Sequence, residues 1–150
     1  MTSKSTVDEF LAQPTLAVVG VSRDSKAFAN GAYKELKEKG YRLLPVNPNM
    51  EAFDGEPCYP SLKALPEPPG GALIMVAPAQ AEGVVQDAAT AGIKRVWMQQ
   101  GAESEAAIKF CQANGISEVH GECILMFAQP QKFLHKPHRW VWGLMGKLPK

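Results

Sequence analysis

Residues 18–26 read Val-Val-Gly-Val-Ser-Arg-Asp-Ser-Lys, and their types and order suit the binding of an anion. Gly20 lets the backbone turn tightly and come close to a ligand. Ser22 brings a hydroxyl donor. Arg23 offers a planar fork and Lys26 a point charge, and both pair with phosphate. A helix starting just beyond them adds free N–H groups aimed at the same place. A plain strand-to-helix turn with polar residues would look much the same in isolation, so the other loops have to decide.

Few other residues offer chemistry. The three cysteines, Cys58, Cys111 and Cys123, are far apart and form no CxxC pair, so neither a disulfide framework nor a cysteine-rich zinc site is indicated. Cys111 falls in a helical pattern with Ala107 and reads as core, and Cys58 reads as a loop residue. His135 and His138 have HxxH spacing and could join His120 or Cys123 around zinc, but Pro137 between them opposes a regular helix presenting both. Glu103 and Glu105 fit a helix first turn, where the dipole favours negative charge. No Ser-His-Asp set or pair of carboxylates can be read from the order of residues.

The elements that position these residues alternate between strand and helix. Thr6-Val-Asp-Glu9 has the form of a capping box and starts a short helix through about Ala12, ended by Pro14. Thr15–Gly20 is a nearly continuous apolar run, as a buried parallel strand should be. A helix over Phe28–Lys39 closes at Gly40. Tyr41–Val46 is the second strand, with Pro45 expected at its end because it lacks an N–H. Residues 47–71 read mostly as loop, with one short helix near Ser61–Leu65. Ala72–Ala77 is the third strand, and Pro78 opens a helix that runs to about Ala91 and stops at Gly92. Lys94–Met98, a helix over Glu103–Asn114 closed by Gly115, and a short strand Ser117–His120 follow.

Repeated strand–helix units imply right-handed crossovers. The fold class expected is therefore α/β, a single Rossmann-like domain whose five-stranded, mainly parallel sheet has helices on both faces. Ligands of such sheets lie beyond the carboxyl ends of the strands, where the strand order reverses. The loops at 20–26, 47–50, 77–79 and 99–102 should line any site.

Length and charge narrow the function classes. The chain has 150 residues and a formal net charge of +1. One domain fits that length, and a broad nucleic-acid footprint does not fit that charge. No apolar run approaches the roughly 20 residues of a membrane span. The N-terminus is polar and shows no secretory pattern, which leads us to expect a cytoplasmic protein. Residues 127–150 form a basic, aromatic extension, with Lys132, Lys136, Arg139, Lys147 and Lys150 and no acid after Glu122. We expect the domain to occupy 1–126 and this extension to pack on it or on a partner subunit. That partner would be a second copy of the chain or another protein.

Two common nucleotide motifs are missing. GxGxxG is absent, since the next glycine after Gly20 is Gly31, and no acid stands at the end of the second strand to hold a ribose. The phosphate loop GxxxxGK[ST] is absent as well. Instead, Gly20-Val-Ser-Arg-Asp24, Gly40-Tyr-Arg-Leu-Leu-Pro-Val-Asn-Pro48, Val96-Trp-Met-Gln-Gln-Gly101 and Cys123-Ile124 resemble, in order and spacing, the small CoA-binding domain family. That family is itself similar to the N-terminal domain of the succinyl-CoA ligase α subunit. The resemblance covers about Thr15 to Ile124.

The resemblance implies coenzyme A or an acyl-CoA across the carboxyl edge of the sheet. Gly20, Val21, Ser22, Arg23 and Ser25 match the family's phosphate loop, to which the charge and position of Lys26 add a further partner. Asn47 and Pro48 match its second loop. Val76, Ala77 and Pro78 match the third, an apolar wall for the adenine. Met98, Gln99 and Gln100 match the fourth, on the pantetheine side. The chain departs from the ligase in two respects. Arg23 stands where the ligase has a glycine, and the domain with the phosphorylated histidine is missing, so ligase chemistry does not transfer to His120. The function expected is a binding or regulatory module, without a complete catalytic set. One alternative is a CoA-dependent enzyme or enzyme subunit using Cys123 to carry an acyl group or form a mixed disulfide. Glu122 stands before that cysteine where the family commonly has a basic residue. The other alternative is a module for NAD(P) or an adenine nucleotide.

Overall fold

Alternate residues of the first strand, β1 (Thr15–Val19), go to opposite sides: Leu16 and Val18 join one core, and Ala17 and Val19 the other. Both sides are buried, so β1 must lie in the middle of a sheet covered on both faces. The structure, a computed structural model, describes residues 3–24 and 26–128. Its sheet contains β1, β2 (Arg42–Val46), β5 (Gly71–Ile74), β6 (Arg95–Gln99) and β7 (Ser117–Glu122), in the order β2-β1-β5-β6-β7. Every pairing in it is parallel. The order reverses at β1, and the crevice of the fold therefore lies between the ends of β1 and β5.

Helices α1 (Lys4–Leu11) and α2 (Phe28–Glu38) cover one face, burying Val7, Phe10, Tyr33 and Leu36. Helices α3 (Pro78–Thr90) and α4 (Glu105–Ala113) cover the other, burying Ala81, Val85, Ala107 and Cys111. Trp97 is fully buried on the α1 side with its ring 5.5 Å from that of Phe10. Burying a large apolar side chain of this kind contributes roughly 1.5–3 kcal/mol.

The local differences from expectation have physical reasons. Ser3, not Thr6, caps α1, and its hydroxyl accepts from the Thr6 N–H. The earlier start gives Val7 and Phe10 a full turn before them on which to pack. Ser104 caps α4 in the same way, while the Glu103 carboxylate lies outside that helix and accepts from the Gly101 N–H at 2.9 Å. Pro45 is the penultimate residue of β2, opposite Val18, near the strand's end as expected. In a parallel strand one residue's N–H and C=O point to the same side. The Pro45 carbonyl points outward to the Tyr59 N–H at 3.0 Å, so its missing donor costs β1 nothing. The third main strand ends early, at Ile74, and leaves residues 75–77 as loop.

The stretch expected to be mostly loop holds a short hairpin, β3 (Ala52–Phe53) and β4 (Glu56–Pro57). Its turn residues Asp54 and Gly55 both have positive φ, 53° and 79°, the conformation that a tight two-residue hairpin turn requires. A single 3₁₀ turn, Leu62–Ala64, follows, and another, Ile124–Met126, comes after β7. Of the C-terminal extension expected at 127–150, only residues 127 and 128 are among those described.

Candidate functional site

The backbone at Gly20 approaches β5 so closely that no side chain fits. Its φ is +119°, and a Cβ there would stand 2.0 Å from the Met75 carbonyl oxygen. The chain then turns away from the sheet and is held by one buried side chain, Asn30, in the first turn of α2. Asn30 Oδ1 accepts from the Ser22 N–H at 2.9 Å, and its Nδ2 donates to the carbonyls of Ser22 and Asp24 at 2.7 and 3.0 Å. Ser22 Oγ accepts from the Asp24 N–H, and Asp24 Oδ1 accepts from the Lys26 N–H. The Ser22 hydroxyl, while accepting this N–H, still has its own proton to donate. The N–H groups of Val21 and Arg23 have no acceptor among the described residues.

The second loop is tied to the first. Asn47 Nδ2 donates to the Val21 carbonyl at 2.7 Å, and its Oδ1 accepts from the Asn49 N–H at 2.6 Å. The Arg23 guanidinium donates to the Asn49 carbonyl. Asn47 therefore shapes the site from behind, while exposed Pro48 lies on its surface. Cys58 is buried beneath this loop with its thiol 3.9 Å from the Asn47 carbonyl, a core position rather than a loop surface. Burial pushes the Cys58 thiol up, and the contact with Asn47 opposes that shift.

At the fourth loop, Gln99 is buried and its Oε1 accepts from the Ile124 N–H at 3.0 Å. The Glu122 carbonyl accepts both the Gln100 N–H and the Trp97 indole N–H. The segment after β7 is thus bolted to the end of β6. Half-buried Cys123 sits in that segment, but it lines none of the cavities described below.

Connected cavities follow the carboxyl edge. One of about 290 Å³ lies between Gly20–Ser22, Asn47–Asn49 and Val76. It shares Gly20, Met75 and Val76 with a cavity of about 310 Å³ between Ala27, Phe28 and Gln99–Ala102. On another side it shares Val19, Val46, Pro48, Val76 and Gln80 with an apolar slot of about 220 Å³. Through Ser22 it meets a cavity of about 310 Å³ toward the hairpin, lined by Arg23, Lys34, Met50 and Phe53. Another cavity, about 370 Å³, lies outside β2 among Tyr33, Tyr41 and Tyr59 and touches none of the four loops.

The expected residues divide accordingly. Gly20, Val21, Ser22, Arg23, Asn47, Pro48, Val76, Gln99 and Gln100 come together along one branched furrow. Lys26, Ala77 and Pro78 are exposed near it without lining it. Met98 is fully buried in the α3–α4 core. Ser25, and His135 and His138 of the zinc reading, lie outside the described residues. Among the described residues no three His, Cys, Asp or Glu side chains cluster as metal ligands, and His120 pairs with Glu118 at 2.6 Å. Asn30, Lys34 and exposed Phe28 are furrow residues that sequence reasoning missed. An asparagine in the first turn of the helix after the glycine loop was the one readable signal among them.

A family model described as "CoA binding domain" matches residues 14–129. The chain belongs to the CoA binding domain family. This CoA binding domain is 27% identical over 123 residues to the uncharacterized protein YneT of Bacillus subtilis (strain 168), across 81% of this chain and 91% of that protein. It is also similar to a conserved hypothetical protein from Pyrococcus furiosus, with a TM-score of 0.72 and 36% identity over 75% of this chain and 97% of the other. A third similar structure, at 24% identity, is a dinucleotide-forming acetyl-coenzyme A synthetase of Ca. Korarchaeum cryptofilum. There the TM-score is 0.67, and the match covers 75% of this chain but 27% of the synthetase, a likeness of fold alone. No helix among the described residues is long and apolar enough to cross a membrane.

Proposed function

We propose that the chain binds coenzyme A or an acyl-CoA along the branched furrow, as a binding or regulatory module. One observation carries the reading: three cavities adjoin the one at the Gly20–Ser22 loop, and each differs in chemistry. Coenzyme A branches at its ribose in the same way. Its adenine suits the apolar slot, its 3′-phosphate suits the Arg23 and Lys34 side, and its pantetheine arm suits the cavity at Phe28 and Ala102. The pyrophosphate falls to the open N–H groups of Val21 and Arg23 and the Ser22 hydroxyl, in contacts that cost little because Asn30 already holds the loop. Lys26 adds longer-range attraction. The free thiols Cys58, Cys111 and Cys123 accord with a reducing compartment, and the proposal places the module in the cytoplasm.

The test is calorimetric titration of the protein with CoA, dephospho-CoA and NAD, after native mass spectrometry of the purified protein. CoA should bind and NAD should not. Arg23→Ala and Lys34→Gln should each weaken CoA by about tenfold or more, as losing a charge-assisted contact of roughly 1.5–3 kcal/mol implies, and leave dephospho-CoA unchanged. Equal binding of CoA and NAD would favour a general adenine-nucleotide module. A covalent CoA adduct released by reductant would favour Cys123 chemistry. No CoA binding in any form would reject the proposal.

A further inference from the structure

The cavity of about 370 Å³ outside β2 lies apart from the furrow, and three polar groups on its wall are left unused by the fold. Two belong to the backbone of Leu43. Pro45 turns its carbonyl outward to Tyr59, and Leu43, two residues earlier in the same strand, faces the same way. The Leu43 N–H and C=O have no partner among the described residues. Tyr59 continues the edge of the sheet beside Pro45 and Asn47, but Pro57, two residues before it, has no N–H to give Leu43. The third group is the Tyr33 hydroxyl. Tyr33 is 1% exposed, and its hydroxyl makes no hydrogen bond among the described residues. It is nevertheless not sealed from solvent, because Asp87 Oδ1 is the only side-chain oxygen or nitrogen among the described residues that is both sealed and unpartnered. The little surface Tyr33 keeps therefore includes its hydroxyl, and of the five cavities this is the one Tyr33 lines.

We propose that this cavity takes an α-amino acid residue with a free amine, either a free amino acid or the first residue of a peptide. One residue can exchange both hydrogen bonds with Leu43 only in an antiparallel pairing. The amino side of that residue then faces the end held by Pro45 and Tyr59, where the edge is closed, so the ligand has to begin there. Its ammonium donates to the Leu43 carbonyl and to Tyr33 Oη. Glu56, exposed on the same wall and outside every ion pair among the described residues, supplies the opposite charge. Asp54 and Glu56 also help to push the Tyr33 hydroxyl up, after burial itself, which shows a negative field at the place the ammonium would take. The ligand's carbonyl accepts from the Leu43 N–H. Its carboxylate, or the next peptide unit, leaves toward Lys37 and Arg42, near the start of the strand. The site is independent of the CoA reading.

The experiment is an NMR titration of the whole ¹⁵N-labelled protein with glycinamide, L-leucinamide, L-leucine, Leu-Gly-Gly and N-acetyl-L-leucinamide. The free-amine probes should move the Leu43 amide signal. The acetylated probe, which has no ammonium, should bind about tenfold more weakly than L-leucinamide. L-Leucine against Leu-Gly-Gly tells a free amino acid from a peptide end, and binding of either supports the site. Tyr33→Phe and Glu56→Gln should each weaken L-leucinamide several-fold. Glu56 is exposed, so its variant keeps the test alive even if Tyr33→Phe fails to fold. A Leu43 signal unmoved by every free-amine probe at millimolar concentration, equal binding of the acetylated probe, or unchanged affinity in the folded variants overturns the proposal.

Discussion

Gly20 is where the turn of the first loop and the stability of the fold are decided by the same atoms. A methyl group there meets the Met75 carbonyl at 2.0 Å and must adopt a φ of +119°. Relief requires the ends of β1 and β5 to separate. Gly20→Ala should destabilise the protein by about 3 kcal/mol or more, lowering the melting temperature by roughly 10 °C. A melt within two or three degrees of wild type would show that the loop relaxes freely. The thiols give a second prediction at this scale. Cys111 is fully buried, Cys58 is 7% exposed, and Cys123 is half-buried. Burial also pushes the Cys111 thiol up to about 12. Under native conditions iodoacetamide should therefore label Cys123 first, with Cys58 and Cys111 following only on unfolding, as peptide mass spectrometry would show.

Among the elements, the hairpin is the least secure, and α2 holds it through a ring contact. Phe53 meets Tyr33 edge-on with ring centroids 4.9 Å apart. Desolvation, and then the neighbouring charges of Asp54 and Glu56, push the Tyr33 hydroxyl up from 10.0 to about 12. The unfolded chain loses this proton near pH 10, whereas the folded one keeps it. Between those values the folded state holds more protons, so stability falls as pH rises. Denaturant melts between pH 9 and 12 should show a steeper alkaline loss in wild type than in Tyr33→Phe, by up to roughly 2 kcal/mol. Parallel slopes would remove Tyr33 from the account. The hairpin also shows where sequence reading stops. Apolar runs marked the main strands, and Gly40, Gly92 and Gly115 marked helix ends, because those signals are local. Strands of two residues carry no alternation, so Ala52–Pro57 passed for loop despite its Asp-Gly turn. Ser3 and Thr6 both suit a cap, and only the packing of Val7 and Phe10 chooses between them.

For the molecule as a whole, the parallel α/β architecture was legible, since it follows from counting strand–helix units. What the furrow is made of was much less so. Asn30 reaches back 8 residues to Ser22, Asp87 reaches 25 to Leu62, and Gln99 reaches 25 to Ile124. Only Asn30, an asparagine in the first turn after the glycine loop, had a residue type and place that could have announced its partner. Met98 shows the opposite error: Gln99 and Gln100 after it sit at the edge, but the alternation of β6 sends Met98, like Val96, into the α3–α4 core and Trp97 into the other.

The proline in β2 has a consequence for how the molecule behaves in a crowd. A strand at the end of a sheet invites any extended chain to continue it, which is how soluble proteins begin to stick to one another. Here Pro45 offers such a visitor no N–H, its carbonyl is already engaged by Tyr59, and the Asn47 N–H is engaged by the Tyr59 carbonyl. The stretch running up to the ligand furrow is thus sealed against templated growth. The open furrow at the end of the sheet thus lies beside no open seam for aggregation.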